Sequence, residues 1–428
     1  MLKEGVLCME SQIKRKGFSK DFNLMVIGQI ISILGSALLR FALSLYVLDI
    51  TGRADLFAVL FAISSIPILL APLGGAIADR FNRRNLMVIF DFTSSIIVFG
   101  FFIVLAMGDS SILLIGVVMV LLSFVSAMYA PTVMASIPVL VEEEKLEQAN
   151  GIVNGIQALS NVAAPVLGGI LYGMIGLKVL VIVSGLFFFL SAILEMFIKI
   201  PFIQREQNGH IISTLVNDLK EGFSYVVKQS FIFKCMILAA LLNLLLTPLF
   251  VVGVPIILRV TLHSSDTLYG VGMGLIDFAT ILGALSMGYF AKKMGINNLY
   301  FWIFITALLI VPMALSVTPI MLKIGYYPSY TLFVGSALLI AMIMTIISIY
   351  VITVVQKETP NENLGKVMAI IIAVSQCMAP IGQILYGLLF EGFSINIYVP
   401  ILIISVVMVV LAIATKRILR FEVSEAVK

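Results

Sequence analysis

Apolar residues in this chain come in long, nearly unbroken blocks of helical length, separated by short polar turns. The blocks fall at 22–48, 55–78, 86–107, 112–138, 151–175 and 178–198. After a polar stretch they resume at 231–257, 268–291, 298–317, 331–356, 367–390 and 394–415. A hydrocarbon core takes about 20 apolar residues of helix, and in lipid the backbone polar groups must be satisfied within the segment or in a closed barrel. The two-residue alternation of a barrel strand is missing. The pattern therefore predicts an all-α integral membrane protein with twelve transmembrane helices, six on each side of a linker. The first block is too long for a signal-peptide core and no small-residue cleavage site follows it, so it is read as a retained helix. The expected partition is a cytoplasmic segment 1–22, a six-helix bundle 23–199, a linker 200–230, a second six-helix bundle 231–416 and a cytoplasmic tail 417–428.

Within the linker, Ile212, Leu215, Leu219, Phe223 and Val226 recur at helical spacing with charges opposite. This predicts an amphipathic helix, lying either on the inner membrane surface or against the protein. The two halves also repeat one another at an offset of about 214 residues. "APVLGGILYG" (164–173) matches "APIGQILYG" (379–387), and "GAIADRFNRR" (75–84) matches "GYFAKKMGIN" (288–297). Parallel six-helix repeats place a substrate site between two bundles near the midplane.

Composition agrees: 61% of the 428 residues are hydrophobic and only 12% charged, against about 25% charged in soluble domains. Soluble enzymes, nucleic-acid binders, secreted disulfide proteins and disordered chains are poor fits. Cys8, Cys235 and Cys377 lie far apart, and His210 and His263 are too few for a metal cluster. No metal site, cofactor or nucleophile–His–acid arrangement is expected. Of the 27 Lys and Arg residues, 21 collect on one side of the twelve-helix path and four on the other, namely Arg53, Lys178, Arg259 and Lys323. The positive-inside rule then puts both termini in the cytoplasm.

Four segments carry a resemblance to a known family: "LDITGRAD" after helix 1, "GGAIADRFNRRNLM" after helix 2, "VEEEKLEQANGI" before helix 5 and "TPNENLGKVMAI" before helix 11. Together with the repeat they resemble the major facilitator superfamily, and within it the bacterial drug exporters that include macrolide-efflux and enterobactin-exporter-like proteins. The resemblance implies a multi-pass transporter of the bacterial cell membrane, a monomer working with membrane lipids around it. No GxxxxGK[ST] loop occurs, so an ion gradient is the expected driving force.

Gly75-x-Ile77-Ala78-Asp79-Arg80-x-Asn82-Arg83-Arg84 resembles the family's loop signature, with Ile77 and Asn82 as departures. The expectation is that Gly75 lets helix 2 approach the other bundle, and that Asp79, Arg80, Arg83, Arg84 and Asp91 form a cytoplasmic gate, Asp91 pairing with Arg80 or Arg83. Ala164-Pro165-Val166-Leu167-Gly168-Gly169 resembles the antiporter signature of helix 5. Pro165, Pro380 and the glycine pair Gly168 and Gly169 are candidate hinge positions. Helix 4 lacks the arginine that many proton-coupled exporters place there, so coupling must use another site.

Charges inside spans are costly and mark function. Arg40 and Asp277, at similar depth in opposite halves, are the expected charge pair for proton coupling. Glu195 and Glu391, near helix ends, are expected to be solvated or interfacial. Gln29, Asn154, Gln157, Asn161, Asn243 and Gln376 are candidate cavity residues. The function read from the sequence is export of an amphipathic small molecule in exchange for protons. Translocation of a lipid or lysolipid, and nutrient or siderophore transport, are the alternatives.

Overall fold

The computed structural model describes residues 18–108, 111–201, 211–290 and 293–425, with side chains described throughout except at Asp79, 211–219, 361–362 and 418–425. All the regular structure among them is helical, and eleven helices are long and apolar enough to cross a membrane. One of these, Glu143–Met196, has 54 residues, which at 1.5 Å per residue is ~80 Å, far more than one bilayer core. It is two crossings. The chain turns at Gly176, whose φ of 71° and ψ of 174° are non-helical and lie where glycine is strongly favoured. Twelve spans result, numbered 1 to 12 below.

Several helices outrun the apolar blocks that predicted them, because polar caps hold the first turns outside the apolar core. Span 1 is Lys20–Thr51, with the Ser19 hydroxyl accepting from the Phe22 amide at 3.1 Å. Asn82 likewise caps span 3 (Arg83–Ala106), and Ser111 caps span 4 (Ile112–Leu140). Span 12 (Tyr398–Glu425) starts later than expected, since Ser394 and Asn396 are still in hydrogen-bonded turns.

Two spans are irregular. Span 2 is Ala54–Ser65 and Ala71–Arg80, joined by a tight 3₁₀ turn at Ile66–Leu70 that includes Pro67. Span 7 begins as Ser230–Leu245 and continues through wide π turns at Leu249–Gly253 and Ile257–Thr261, next to Pro248 and Pro255. Proline removes a backbone donor and forces such adjustments. His263, with φ of 51°, turns the chain back at the end of span 7, bringing Ser264 and Asp266 beside Arg259.

The linker helix Ile211–Lys228 exists as expected. Gly222 lies where a side chain would meet the Lys366 carbonyl at 2.9 Å, Val226 is buried, and Glu221 pairs with Lys366 at 2.5 Å. Phe223 and Val227 stay exposed. The helix therefore packs on span 11 by one face and presents apolar residues on another. Ile212, Leu215 and Leu219 lie outside the described side chains.

The repeat governs how the halves meet. Span 5 crosses span 8 (Asp266–Phe290), and span 11 (Asn361–Gly392) crosses span 2. The tyrosines of the two Ile-Leu-Tyr-Gly motifs do matching work: Tyr172 binds Asp49 of span 1, and Tyr386 donates to the Leu245 carbonyl of span 7.

Candidate functional site

Among the described residues, most Lys and Arg of the loops lie at one end of the bundle, here termed the basic end. At the other, far end the halves are drawn together. Gly169 and Gly270 sit at the crossing of spans 5 and 8, where a Cβ on Gly270 would strike the Pro165 carbonyl and one on Gly169 the Asp266 carbonyl. At the crossing of spans 11 and 2, a Cβ on Gly387 would meet Ala58, and Ala54 O and Asp55 Cα at 3.2 Å.

Polar contacts tie the same end. Arg259 Nε and Nη2 donate to both oxygens of Asp49 at 2.6 and 3.0 Å, and Nη1 donates to the Ser264 carbonyl at 2.8 Å. Asp266 Oδ1 lies 2.7 Å from Nη2 but off a hydrogen-bonding direction. Glu391 Oε2 of span 11 accepts from the Ala54 amide at 3.1 Å, filling one of the donors that a helix start leaves open. Glu391, expected near its helix end to be solvated or interfacial, thus also caps a helix of the opposite half.

Between the halves lies a cavity of about 540 Å³. Its walls are mostly apolar, as small-molecule sites are, and the polar groups come from both halves. A second, more apolar cavity of about 520 Å³ adjoins it, sharing Thr247, Phe250, Met273, Asp277 and Gln376. Gln157, Asn161 and Gln376 on the wall are exposed although buried deep in sequence blocks. With the far end sealed, solvent reaches them from the basic end.

Arg40 and Asp277 both line this cavity. They form no ion pair with each other, and neither side chain makes a hydrogen bond among the described residues. Direct pairing is therefore corrected to two uncommitted opposite charges on one cavity wall. Of the predicted polar residues, Gln157, Asn161, Asn243 and Gln376 line one or both cavities, with Gln157 donating to Asn161 at 3.1 Å. Asn154 is on the same face a turn nearer the basic end, outside the cavity wall. Gln29 is buried within the first half.

The loop signature is arranged differently from the expectation. Gly74, not Gly75, makes the close approach, against Ala127 and Met128 of span 4 in the same half, while the nearest atom to a Cβ on Gly75 is Pro131 at 4.0 Å. Arg83 donates to the carbonyls of Ala78 and Ala135, and Arg84 to that of Met196. The carbonyls of Ala78 and Met196 are in the last turns of their helices, where a cation is favoured. Asp91 is paired with neither Arg80 nor Arg83: it is buried and accepts from Ser32 at 2.8 Å. The Asp79 side chain and Lys292 lie outside the described residues.

Gly168 and Gly169 divide the role expected of them. Gly169 meets span 8 of the other half. Gly168 instead leaves room for the ring of Phe41 on span 1, whose centroid lies 5.1 Å from that of Tyr269 of the other half, the two rings tilted by 37°. Pro165 and Pro380 sit inside the helices of spans 5 and 11. Sequence reasoning assigned no role in a site to Asp49, Tyr172, Arg259 and Asp266, nor to Tyr129 and Gln383 on the cavity wall. It also expected Glu195 to be solvated or interfacial, whereas Glu195 is fully buried and accepts from the Tyr129 hydroxyl at 2.7 Å.

Comparison with known proteins follows the same lines. The Major Facilitator Superfamily model matches residues 25–383. The chain is 22% identical over 384 residues to the uncharacterized MFS-type transporter YvqJ of Bacillus subtilis, covering 88% of this chain and 87% of that protein. It is 21% identical over 391 residues to macrolide efflux protein A of Streptococcus pyogenes (90% and 92% covered). To the enterobactin exporter EntS of Citrobacter koseri it is 24% identical over 324 residues (73% and 71% covered). Among solved structures, a bacterial homologue of the iron transporter ferroportin in an inward-facing state superposes with a TM-score of 0.70 at 18% identity, covering 93% and 98% of the two chains. The nucleoside transporter NupG gives 0.70 at 14% identity, covering 94% and 99%. These likenesses show the fold.

Proposed function

The chain belongs to the Major Facilitator Superfamily, a family of transporters rather than enzymes, and from that membership we propose that it exports amphipathic small molecules across the bacterial cell membrane in exchange for protons. The observation that carries the reading is the central cavity: sealed at the far end, open to solvent from the basic end, and walled by apolar side chains together with amides, Arg40 and Asp277. Such a wall suits a substrate with a large apolar body and a few polar groups. Met273 in it adapts to varied shapes. Likeness to macrolide efflux protein A and to EntS supports the export direction.

The positive-inside count orients the basic end toward the cytoplasm, which makes this the inward-open state of an alternating-access cycle. A cysteine at Ser265 is expected to react only with reagent added outside, and one at Lys357 only with reagent reaching the cytoplasm. Reaction of both from one side overturns the orientation.

Asp277 is the proposed proton carrier, with Arg40 lining the same cavity. An ionised carboxylate without a partner inside a span is costly, so taking up a proton or a cationic substrate group relieves it. In proteoliposomes, Asp277→Asn is expected to lower transport driven by a proton gradient at least about 5-fold, the low end of ordinary coupling energies, while substrate exchange at equal pH continues. Unchanged gradient-driven transport with unchanged pH dependence removes Asp277 from the coupling step.

One observation favours a second reading, a lipid or lysolipid substrate: the adjoining cavity of about 520 Å³ is lined chiefly by residues such as Leu242, Val254, Met344, Ile347 and Ile371, a lining suited to an acyl chain. Stabilisation of the purified protein against heat, by mass action, separates the two. A macrolide that raises Tm where lysolipid does not supports drug export, and the reverse supports lipid transport.

A further inference from the structure

A second acidic centre lies within the first six spans. Asp91 of span 3 is 2% exposed and Glu195 of span 6 is 0% exposed. Each carboxylate has one oxygen bonded to a hydroxyl: Asp91 Oδ1 accepts from Ser32 of span 1 at 2.8 Å, and Glu195 Oε1 from Tyr129 of span 4 at 2.7 Å. The other oxygen of each, Asp91 Oδ2 and Glu195 Oε2, is buried without a hydrogen-bond partner. So is Gln29 Oε1, on the same face of span 1 as Ser32. Span 1 passes tightly over the centre, since a side chain on Gly28 would touch Glu195 at 3.3 Å and the Ser191 hydroxyl donates to the Gly28 carbonyl at 2.9 Å.

The groups facing this centre can be named from every helix around it. Span 1 supplies Gln29 and Ser32, span 3 Asp91, span 4 Tyr129, and span 6 Ser191 and Glu195. Only the two carboxylates and the phenol titrate. No lysine or arginine forms an ion pair or hydrogen bond with either carboxylate among the described residues. The charged groups nearest in the same cavity wall are Arg40 and Asp277.

Two carboxylates buried in one bundle, each bonded only to a hydroxyl and neither paired with a lysine or arginine, do not both stay ionised: each buried ion costs several kcal/mol after relaxation, and like charge adds to this. The unpartnered oxygens point to what is needed. A protonated carboxyl supplies the O–H donor that the buried acceptors lack, and leaving such acceptors unpaired costs about 1–3 kcal/mol each. Asp91, Ser32 and Tyr129 also line the central cavity, whereas Glu195 stands behind them, so the centre has an entrance.

We propose that Asp91 and Glu195 together hold one exchangeable proton, taken from water in the central cavity at Asp91 and shared with Glu195. The N-terminal half thereby carries a proton site of its own, separate from Asp277 in the C-terminal half. Its use in coupling rests on the antiport reading; the existence of the bound proton does not.

Infrared difference spectra of the full-length protein in nanodiscs, recorded from acid to alkaline pH, read the proton directly as the C=O stretch of a protonated carboxyl. Asp277→Asn is expected to leave a titrating carboxyl band. Asp91→Asn and Glu195→Gln are each expected to remove or shift that band. Glu195→Gln is isosteric and keeps an oxygen for Tyr129, so the bundle remains folded. A band that survives unchanged in both variants overturns the proposal. So does a centre that sodium chloride titrates at fixed pH, which makes it a cation site. The antiport reading is judged separately, by wild-type flux in proteoliposomes. Flux indifferent to a pH gradient ends that reading while the infrared band still decides whether the proton is there.

Discussion

Gly270→Val is expected to cut transport severely by preventing the far end from closing. Where spans 5 and 8 cross, a Cβ on Gly270 would overlap the Pro165 carbonyl, and the Cα of Gly169 lies 3.2 Å away. The obstacle is backbone on both sides, so no side chain can swing out of the way. Overpacking of this kind costs about 1–3 kcal/mol, which as a coupling energy shifts the balance between end states about 5- to 150-fold. The shift runs away from the state described here, because only that state requires the approach. Two measurements check it. Transport should fall by a factor in that range, and a cysteine at Ser126, on the cavity wall, should become more reactive from outside, in a background without Cys8, Cys235 and Cys377. Gly387→Val, at the symmetric crossing of spans 11 and 2, should act in the same direction. Normal flux in both variants shows that these crossings open and close with room to spare.

The symmetry of those two crossings was within reach of the sequence, because the repeat aligns "GGILYG" (168–173) with "GQILYG" (382–387). The twelve spans were legible for a strong reason: lipid offers no partner for the backbone, so each crossing must be an apolar helix of bilayer length. Even the reversal inside Glu143–Met196 could be placed, at the Gly176 and Lys178 that interrupt the blocks. Helix rotation was not legible. Asn154 and Gln157 occupy the same face of span 5, yet only Gln157 reaches the cavity, because depth along the span decides it. Gln29 has the composition of a cavity residue and instead packs inside its own bundle.

Residues near span ends were the most misleading. Glu195 is the second-last residue of its helix, which suggested water. It is buried because span 1 lies over it at Gly28 and Tyr129 reaches it from span 4. Arg259 counted in the sequence only as a basic residue outside the membrane, and Asp49 and Asp266 were given no role. Their mutual contact depends on the turn at His263 and on the approach of span 1 to span 7, neither of which is encoded in spacing. Asp91 was assigned to the loop arginines on proximity in sequence, about two turns from Arg84. Arg83 and Arg84 bind helix carbonyls, which a scan for opposite charges does not consider.

Arg259→Gln is expected to open the far end by removing the ion pair that bridges the halves. Arg259 holds Asp49 through two parallel donors at 2.6 and 3.0 Å, a bidentate geometry that a point charge cannot reproduce. It also neutralises Asp266, 2.7 Å away, and fixes the Ser264 carbonyl. Without the guanidinium, Asp49 and Asp266 are left facing one another from opposite halves, so attraction becomes repulsion. The side chains are 19%, 28% and 26% exposed, which screens the interaction and sets it between an exposed pair, worth up to about 1 kcal/mol, and a buried one, where loss of a partner costs about 2–5. A shift of about 1–2 kcal/mol corresponds to a factor of about 5–30 in the end-state ratio. Transport should fall by that order, and labelling of the Ser126→Cys reporter from outside should rise. Arg259→Lys should be intermediate, since it keeps the charge but loses the fork. Adding Asp266→Asn to Arg259→Gln should recover part of the loss by removing one of the repelling charges. Recovery in the double variant is the decisive result, because a residue needed only for folding would not be rescued by deleting the charge it faces.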